Sequence, residues 1–266
     1  MILRITLCIT RVVPEFVHAL EKGDMLMEKH LIAEMTLEEY GRFIKESDTA
    51  IFPVGATEAY GHHLPMGSDW MVTYEVARQV AEKVNCFVAP PITYGFSEDL
   101  MCFAGTLSVS TSAIMGIYKD VLESLHRQGI KKVLFLCGHV GNIGAIDQVA
   151  CDAVREYGIQ CAHIDWWRFI YDINQDLTES EFPVGHAAEV GTSILQYLFP
   201  RLVVRDKMIR NEKEDKEEIP DLYVYEYFDA ETPTSVLGDP FAGSSEKGEA
   251  MIMNAIKVIG RFLKEW

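Results

Sequence analysis

Three glycine-punctuated segments of this sequence gather side chains that ligate metals and carry protons. The first, GATEAYGHHLPMGSDW (Gly55 to Trp70), supplies Glu58, Tyr60, His62, His63 and Asp69. A structural loop of that length seldom carries adjacent histidines flanked by both Glu and Asp. In the second, LCGHVGN (Leu136 to Asn142), His139 stands between Gly138 and Gly141, which let the backbone turn tightly. The third, FPVGHAAEVGTS (Phe182 to Ser193), places His186 and Glu189 three positions apart at an expected helix N-terminus. That spacing puts both on one helix face, and it equally suits Glu189 as a partner of the first helical turn.

Two carboxylates and an imidazole drawn from different loops make a mixed oxygen and nitrogen donor set. Such a set suits Zn²⁺ first, and also Mn²⁺ or Fe²⁺, whereas Mg²⁺ more usually dispenses with His. With three protein ligands a position stays open for water, whose pKa falls toward ~7, giving hydroxide at neutral pH. A nearby carboxylate or imidazole then moves the proton to a leaving group. These are the parts of metal-assisted hydrolysis. Other schemes on an α/β sheet lack their marks, since the sequence has no GxSxG elbow, no GxxxxGK[ST] phosphate loop and no GxGxxG opening a helix.

The elements that must position these loops alternate along the chain. TAIFPVGA (Thr49 to Ala56), CFVAPPITYG, KKVLFLCG (Lys131 to Gly138) and IQCAHIDWW read as strands. KKVLFLCG is continuously apolar, as a central strand buried on both faces should be. Asp69 to Val84 repeats Val72, Val76, Val80 and Val84 at helical spacing. Thr111 to Gly129, GAIDQVACDAVREYG and AAEVGTSILQYLF are further helices, the first two ending on Gly. The pattern predicts an α/β fold with a mostly parallel central sheet and helices on both faces, and in such sheets ligands gather at the carboxyl ends of strands.

At 266 residues, 48% hydrophobic and 24% charged, the chain has the makings of one globular domain over residues 27–266. Residues 1–26 read as a possible N-terminal extension, because Met25 and Met27 precede the first motif-like segment. Arg4 and Arg11 interrupt its apolar run, so it reads as neither signal nor anchor. A net charge of −16 argues against nucleic acid as a partner. Six cysteines without a CxxC pair fit a reducing, cytoplasmic setting, and no apolar run approaches the ~20 residues of a membrane span. Arg210 to Glu218 is a mixed-charge loop, and LYVYEYF (Leu222 to Phe228) alternates as an edge strand or subunit contact would.

From about Leu31 to Leu263 the chain resembles the creatininase (creatinine amidohydrolase) family. IAEMTLEEY looks like the family's opening segment, and PVGATEAYGHHLPMGSD is similar to its signature PVGSxEQHGPHLPLGTD. YGFSEDLMCFAGT resembles YGxSxEHxxFPGT, LCGHVGN resembles NGHGGN, GHAAEVGTS resembles GHAGxxETS, and GDPFAGSSEKGE resembles GDPxxAxxEKG. The resemblance implies a three-layer α/β/α sandwich, usually in a homo-oligomer, that hydrolyses small cyclic or amide-type substrates with one or two divalent metals. By position, Glu58, Asp69 and His139 fall on first-metal ligands, with Asp69 at the bridging position, and His186 falls on the active-site His. Trp166 and Trp167 lie where relatives supply an aromatic wall to substrate.

The departures lie in the reactive shell. Tyr60 stands where the signature has a second-metal His, so that site is weakened, vacant or rebuilt from His62 or His63. Gly191 stands at the family's catalytic Glu, a role Glu189 is placed to assume, and Asp99 and Leu100 replace a Glu-His pair. The leading expectation is a hydrolase opening a small polar ring by attack of hydroxide on a carbonyl, at a cyclic amide C–N bond. One alternative is carbon–carbon ring opening of an oxidised inositol, and another is a non-catalytic binding or scaffold subunit.

Overall fold

The computed structural model describes residues 29–212 and 225–266. The expected extension over residues 1–26 lies outside them, as do residues 213–218 of the mixed-charge run and 222–224 of the aromatic segment.

Four strands form one sheet: β1 (Thr49–Val54), β2 (Phe87–Val88), β3 (Lys132–Cys137) and β4 (Gln160–Asp165), in the order β2-β1-β3-β4 with every pairing parallel. Successive side chains alternate across the sheet. Ala50, Phe52, Val54, Val133, Phe135 and Cys137 therefore enter one core, and Ile51, Leu134 and Leu136 the other. Seven α-helices among the described residues cover the two faces: α1 (Leu37–Phe43), α2 (Ser68–Ala81), α3 (Thr111–Arg127), α4 (Ile143–Tyr157), α5 (Trp166–Asp172), α6 (Glu189–Leu198) and α7 (Ser245–Glu265). Phe43 of α1, Ile114, Tyr118 and Leu122 of α3, and Ile146 and Val149 of α4 pack on the first face. Val72, Val76 and Val80 of α2 join α5, α6 and α7 on the second. The result is the expected α/β/α sandwich.

Local chemistry fixes the helix ends. Thr36 and Glu39 form a reciprocal capping box at α1. The Ser110 hydroxyl accepts from Ala113 N at α3, and Gly158 closes α4 in the left-handed region at φ +69°.

Three expectations change. CFVAPPITYG keeps only Phe87–Val88 as strand, because Pro90 and Pro91 have no N–H to donate to a ladder. The described part of LYVYEYF is not a strand: Tyr225 to Tyr227 are irregular, with Tyr225 95% exposed, and a 3-10 turn begins at Phe228. Trp166 and Trp167 open α5 instead of closing β4. The long α7 carries Met251, Ile252, Ala255, Ile256 and Ile259 at helical spacing into the core. Cys86, Cys102, Cys137, Cys151 and Cys161 are free. No helix among the described residues is long and apolar enough to cross a membrane.

Helices α6 and α7 approach each other at Gly248, where an added Cβ would stand 2.1 Å from Ser193 O. Gly248→Ala is expected to destabilise the chain by about 1–3 kcal/mol through overpacking. A chemical denaturation midpoint unchanged from the parent protein would contradict that close contact.

Candidate metal centre

The chain order reverses between β1 and β3, so the crevice at their carboxyl ends is the topological switch point of the sheet. The loop leaving β1 carries Glu58, whose N–H donates to Met66 O at 2.9 Å. Asp69 sits in the first turn of α2, and His139 follows Gly138 directly after β3. A Cβ on Gly138 would lie 2.4 Å from Asp69 O, so only glycine lets the end of β3 press against that turn.

One potential ligand atom from each of Glu58, Asp69 and His139 lies within 4.8 Å of the others, and all three residues are buried. His139 Nδ1 stands 3.2 Å from Glu58 Oε2 and 3.4 Å from Asp69 Oδ2. Its Nε2 is 2.7 Å from Phe96 O, which fixes a proton on Nε2 and turns Nδ1 toward the carboxylates. Ser97 Oγ donates to Glu58 Oε2 at 2.5 Å, and Trp167 Nε1–H donates to Asp69 Oδ1 at 3.1 Å. Asp69 Oδ2 is buried without a hydrogen-bond partner. Two oriented carboxylates, a directed imidazole and an unpartnered oxygen fit a divalent cation.

The charges are unevenly shared. Burial pushes the Glu58 carboxyl up, but His139 and His186 more than offset it and hold Glu58 well below the usual carboxylate range. Burial, together with the Glu58 charge, pushes Asp69 up to about 6. Burial opposes protonation of His139, yet the two carboxylates overcome it and keep the imidazole protonated well above its ordinary pKa.

His186 stands outside the trio. Its Nδ1 is 2.7 Å from Ser235 O, while Nε2 is buried without a hydrogen-bond partner and lies 3.5 Å from Glu58 Oε1. Tyr60 is buried with its ring 4.3 Å from that of His186 and 6.0 Å from that of Trp167. Burial and the Asp69 and Glu58 charges raise its phenol well above the ordinary value, so it is neutral and a hydrogen-bond donor. Gly191 lies beside it, where an added Cβ would be 3.7 Å from Tyr60 Cε1. These residues line a cavity of about 330 Å³ with Trp167, Phe182, Phe228, Asp165 and Arg168.

Other expected site residues are not brought to this cavity. Trp166 is fully buried in the core, because it opens α5 on the face turned toward the sheet. His62 is exposed, and His63 lies 3.0 Å from Thr192 Oγ1 with burial lowering its pKa to about 4. The Glu189 carboxylate is engaged by Glu179 N, Ser180 and Lys247. Sequence reasoning missed Ser97 and the Phe96 carbonyl, which hold Glu58 and His139. They lie inside the YGFSEDL motif, but a carbonyl has no sequence signature and a lone Ser little.

A family profile described as creatininase, creatinine amidohydrolase, matches residues 33–263. The chain is 27% identical over 253 residues to a creatinine amidohydrolase of Pseudomonas putida, covering 88% of this chain and 96% of that protein. It is 29% identical over 184 residues to a 3-dehydro-scyllo-inosose hydrolase of Thermotoga maritima, covering 67% of this chain and 59% of that protein. A solved structure described as creatininase with Mn matches with a TM-score of 0.74 at 25% identity, covering 89% of this chain and 98% of that one.

Since Nε2 of His139 is tied to Phe96 O, the proton to be displaced by a cation sits on Nδ1. Cation uptake near pH 7 is therefore expected to release protons. Affinity should fall as pH drops through about 6, where Asp69 also becomes protonated. Calorimetric titration with Zn²⁺ or Mn²⁺ in buffers of different ionisation enthalpy checks this, and heats independent of buffer would contradict it.

Proposed function

The chain belongs to the creatininase family, and from that premise we propose that it is a metal-dependent hydrolase opening a small polar ring at a carbonyl group. The observation that carries this reading is the convergence of Glu58, Asp69 and His139 Nδ1 at the sheet's switch point. Zn²⁺ or Mn²⁺ held by these residues would supply Lewis acidity toward the carbonyl oxygen and a water acidified toward neutrality.

The remaining steps fall to the chain's own side chains. Ser97 and Trp167 orient the two carboxylates through hydrogen bonds. His186 has its Nδ1–H directed at Ser235 O and presents Nε2 to the cavity. There it takes a proton from the nucleophile and returns it to the leaving atom. Burial disfavours the imidazolium, but Glu58 more than compensates and raises the His186 pKa above its ordinary value. The cavity matches a small molecule in size, and Trp167, Phe182 and Phe228 form an aromatic part of its wall.

Hydrolysis of a cyclic amide C–N bond is the leading substrate reading, supported by the similarity to the Pseudomonas putida protein. Tyr60 supports a second reading, carbon–carbon ring opening of a keto-inositol. Its neutral phenol is a donor for an enolate oxygen, where a metal-binding His would not be. The similarity to the inosose hydrolase points the same way. We place the enzyme in the reducing cytoplasm, in keeping with the five free cysteines among the described residues, and as a homo-oligomer in keeping with its family.

Purified protein is expected to hold stoichiometric metal that Asp69→Ala removes together with turnover. His186→Gln should retain metal and lose about 10²–10⁴-fold in rate. Ring opening across a panel of cyclic amides and keto-inositols separates the two substrate readings. A chain without stoichiometric metal, inert to both classes, would leave the binding or scaffold role standing instead.

A further inference from the structure

Glu189 is fully buried, yet its carboxylate does not line the cavity. It accepts hydrogen bonds from Glu179 N at 3.0 and 3.1 Å, Ser180 N at 2.8 Å, Ser180 Oγ at 2.6 Å and Lys247 Nζ at 2.7 Å. Lys247, near the start of α7, also donates to Ala242 O at 3.0 Å and lies 3.3 Å from Glu179 Oε2. One carboxylate at the first residue of α6 thus ties residues 179 and 180 to another helix.

The chain beyond that tie is a wall of the cavity, with Phe182, Val184, Gly185 and His186 on its inner side. It ends in strain. Ala187, next to His186, has φ +54°, a region an L residue adopts only where its surroundings over-determine it. Downstream, His186 Nδ1 is held by Ser235 O, His186 O accepts from Leu237 N at 2.9 Å, and Val190 N donates to Pro183 O at 3.0 Å. Upstream, the Glu189 carboxylate supplies the opposing hold. Only an ionised carboxylate accepts from two amides, a hydroxyl and an ammonium at once, and a Gln would set its own N–H groups against some of these donors.

We infer that Glu189 and Lys247 are positioning residues for the proposed reaction: their part-buried ion pair clamps residues 179–186 so that His186 Nε2 stays aimed at Glu58 Oε1. The catalytic meaning of the clamp rests on the hydrolase reading, whereas the clamp itself stands on the hydrogen bonds. Nothing in it requires Glu189 to touch substrate.

Hydrogen exchange of the metal-loaded protein, with diethyl pyrocarbonate labelling of His186, tests this in Glu189→Gln and Lys247→Met. Peptides covering residues 176–187 should exchange about ten-fold faster or more and His186 should label faster. Peptides from β1 and β3, and the metal content, should stay as in the parent. Unchanged exchange at 176–187 overturns the inference. Equal acceleration in every peptide overturns it too, since that marks a general stability loss. A parent protein without metal would instead sink the hydrolase reading, and the exchange comparison would remain readable on it.

Discussion

The site depends on one contact, the approach of the end of β3 to the first turn of α2. Gly138 makes it possible, because a Cβ there would overlap the Asp69 carbonyl. Through that contact the His139 and Asp69 side chains come from two rigid elements whose backbones already touch. Glu58 arrives on the loop leaving the neighbouring strand β1, across the switch point. The trio's geometry is therefore set where the short loops leaving β1 and β3 meet the first turn of α2, and Phe96 O and Ser97 add the supporting hydrogen bonds.

Electrostatics explains why such a cluster invites a cation. Two carboxylates buried side by side are costly unless donors and positive charge compensate them. Ser97, Trp167 and His139 supply part of that compensation, and the pair responds asymmetrically, Glu58 staying ionised while Asp69 is pushed up to about 6. The oxygen left without a hydrogen-bond partner, Asp69 Oδ2, stands 3.4 Å from His139 Nδ1. Tyr60 adds no charge to this arrangement. Its neutral phenol ring fills the space beside His186 and Gly191, which sets the character of the reactive shell apart from the scaffold around it.

Strands β1 and β3 were legible because they are short apolar runs closed by Gly55 and Gly138, and parallel strands buried on both faces read that way. Glu58, Asp69 and His139 were legible because ligand-type residues were concentrated just past strand ends. Glu189 and Trp166 were harder. Spacing of three from His186 says that Glu189 shares a helix face, but not that residues 179 and 180 fold back to saturate its carboxylate. Adjacent tryptophans at a helix start must diverge by about 100° around the axis, so one enters the core while the other reaches Asp69. Neither outcome is encoded locally; each follows from tertiary packing.

The central claim is that the cation is bound by Glu58, Asp69 and the Nδ1 atom of His139. An anomalous difference map at the metal absorption edge, from crystals grown with Zn²⁺, reads this directly. The predicted result is a peak about 2.0–2.2 Å from one oxygen of each carboxylate and from His139 Nδ1. A peak on Nε2 of His139, on a cysteine sulfur or elsewhere on the surface would contradict it.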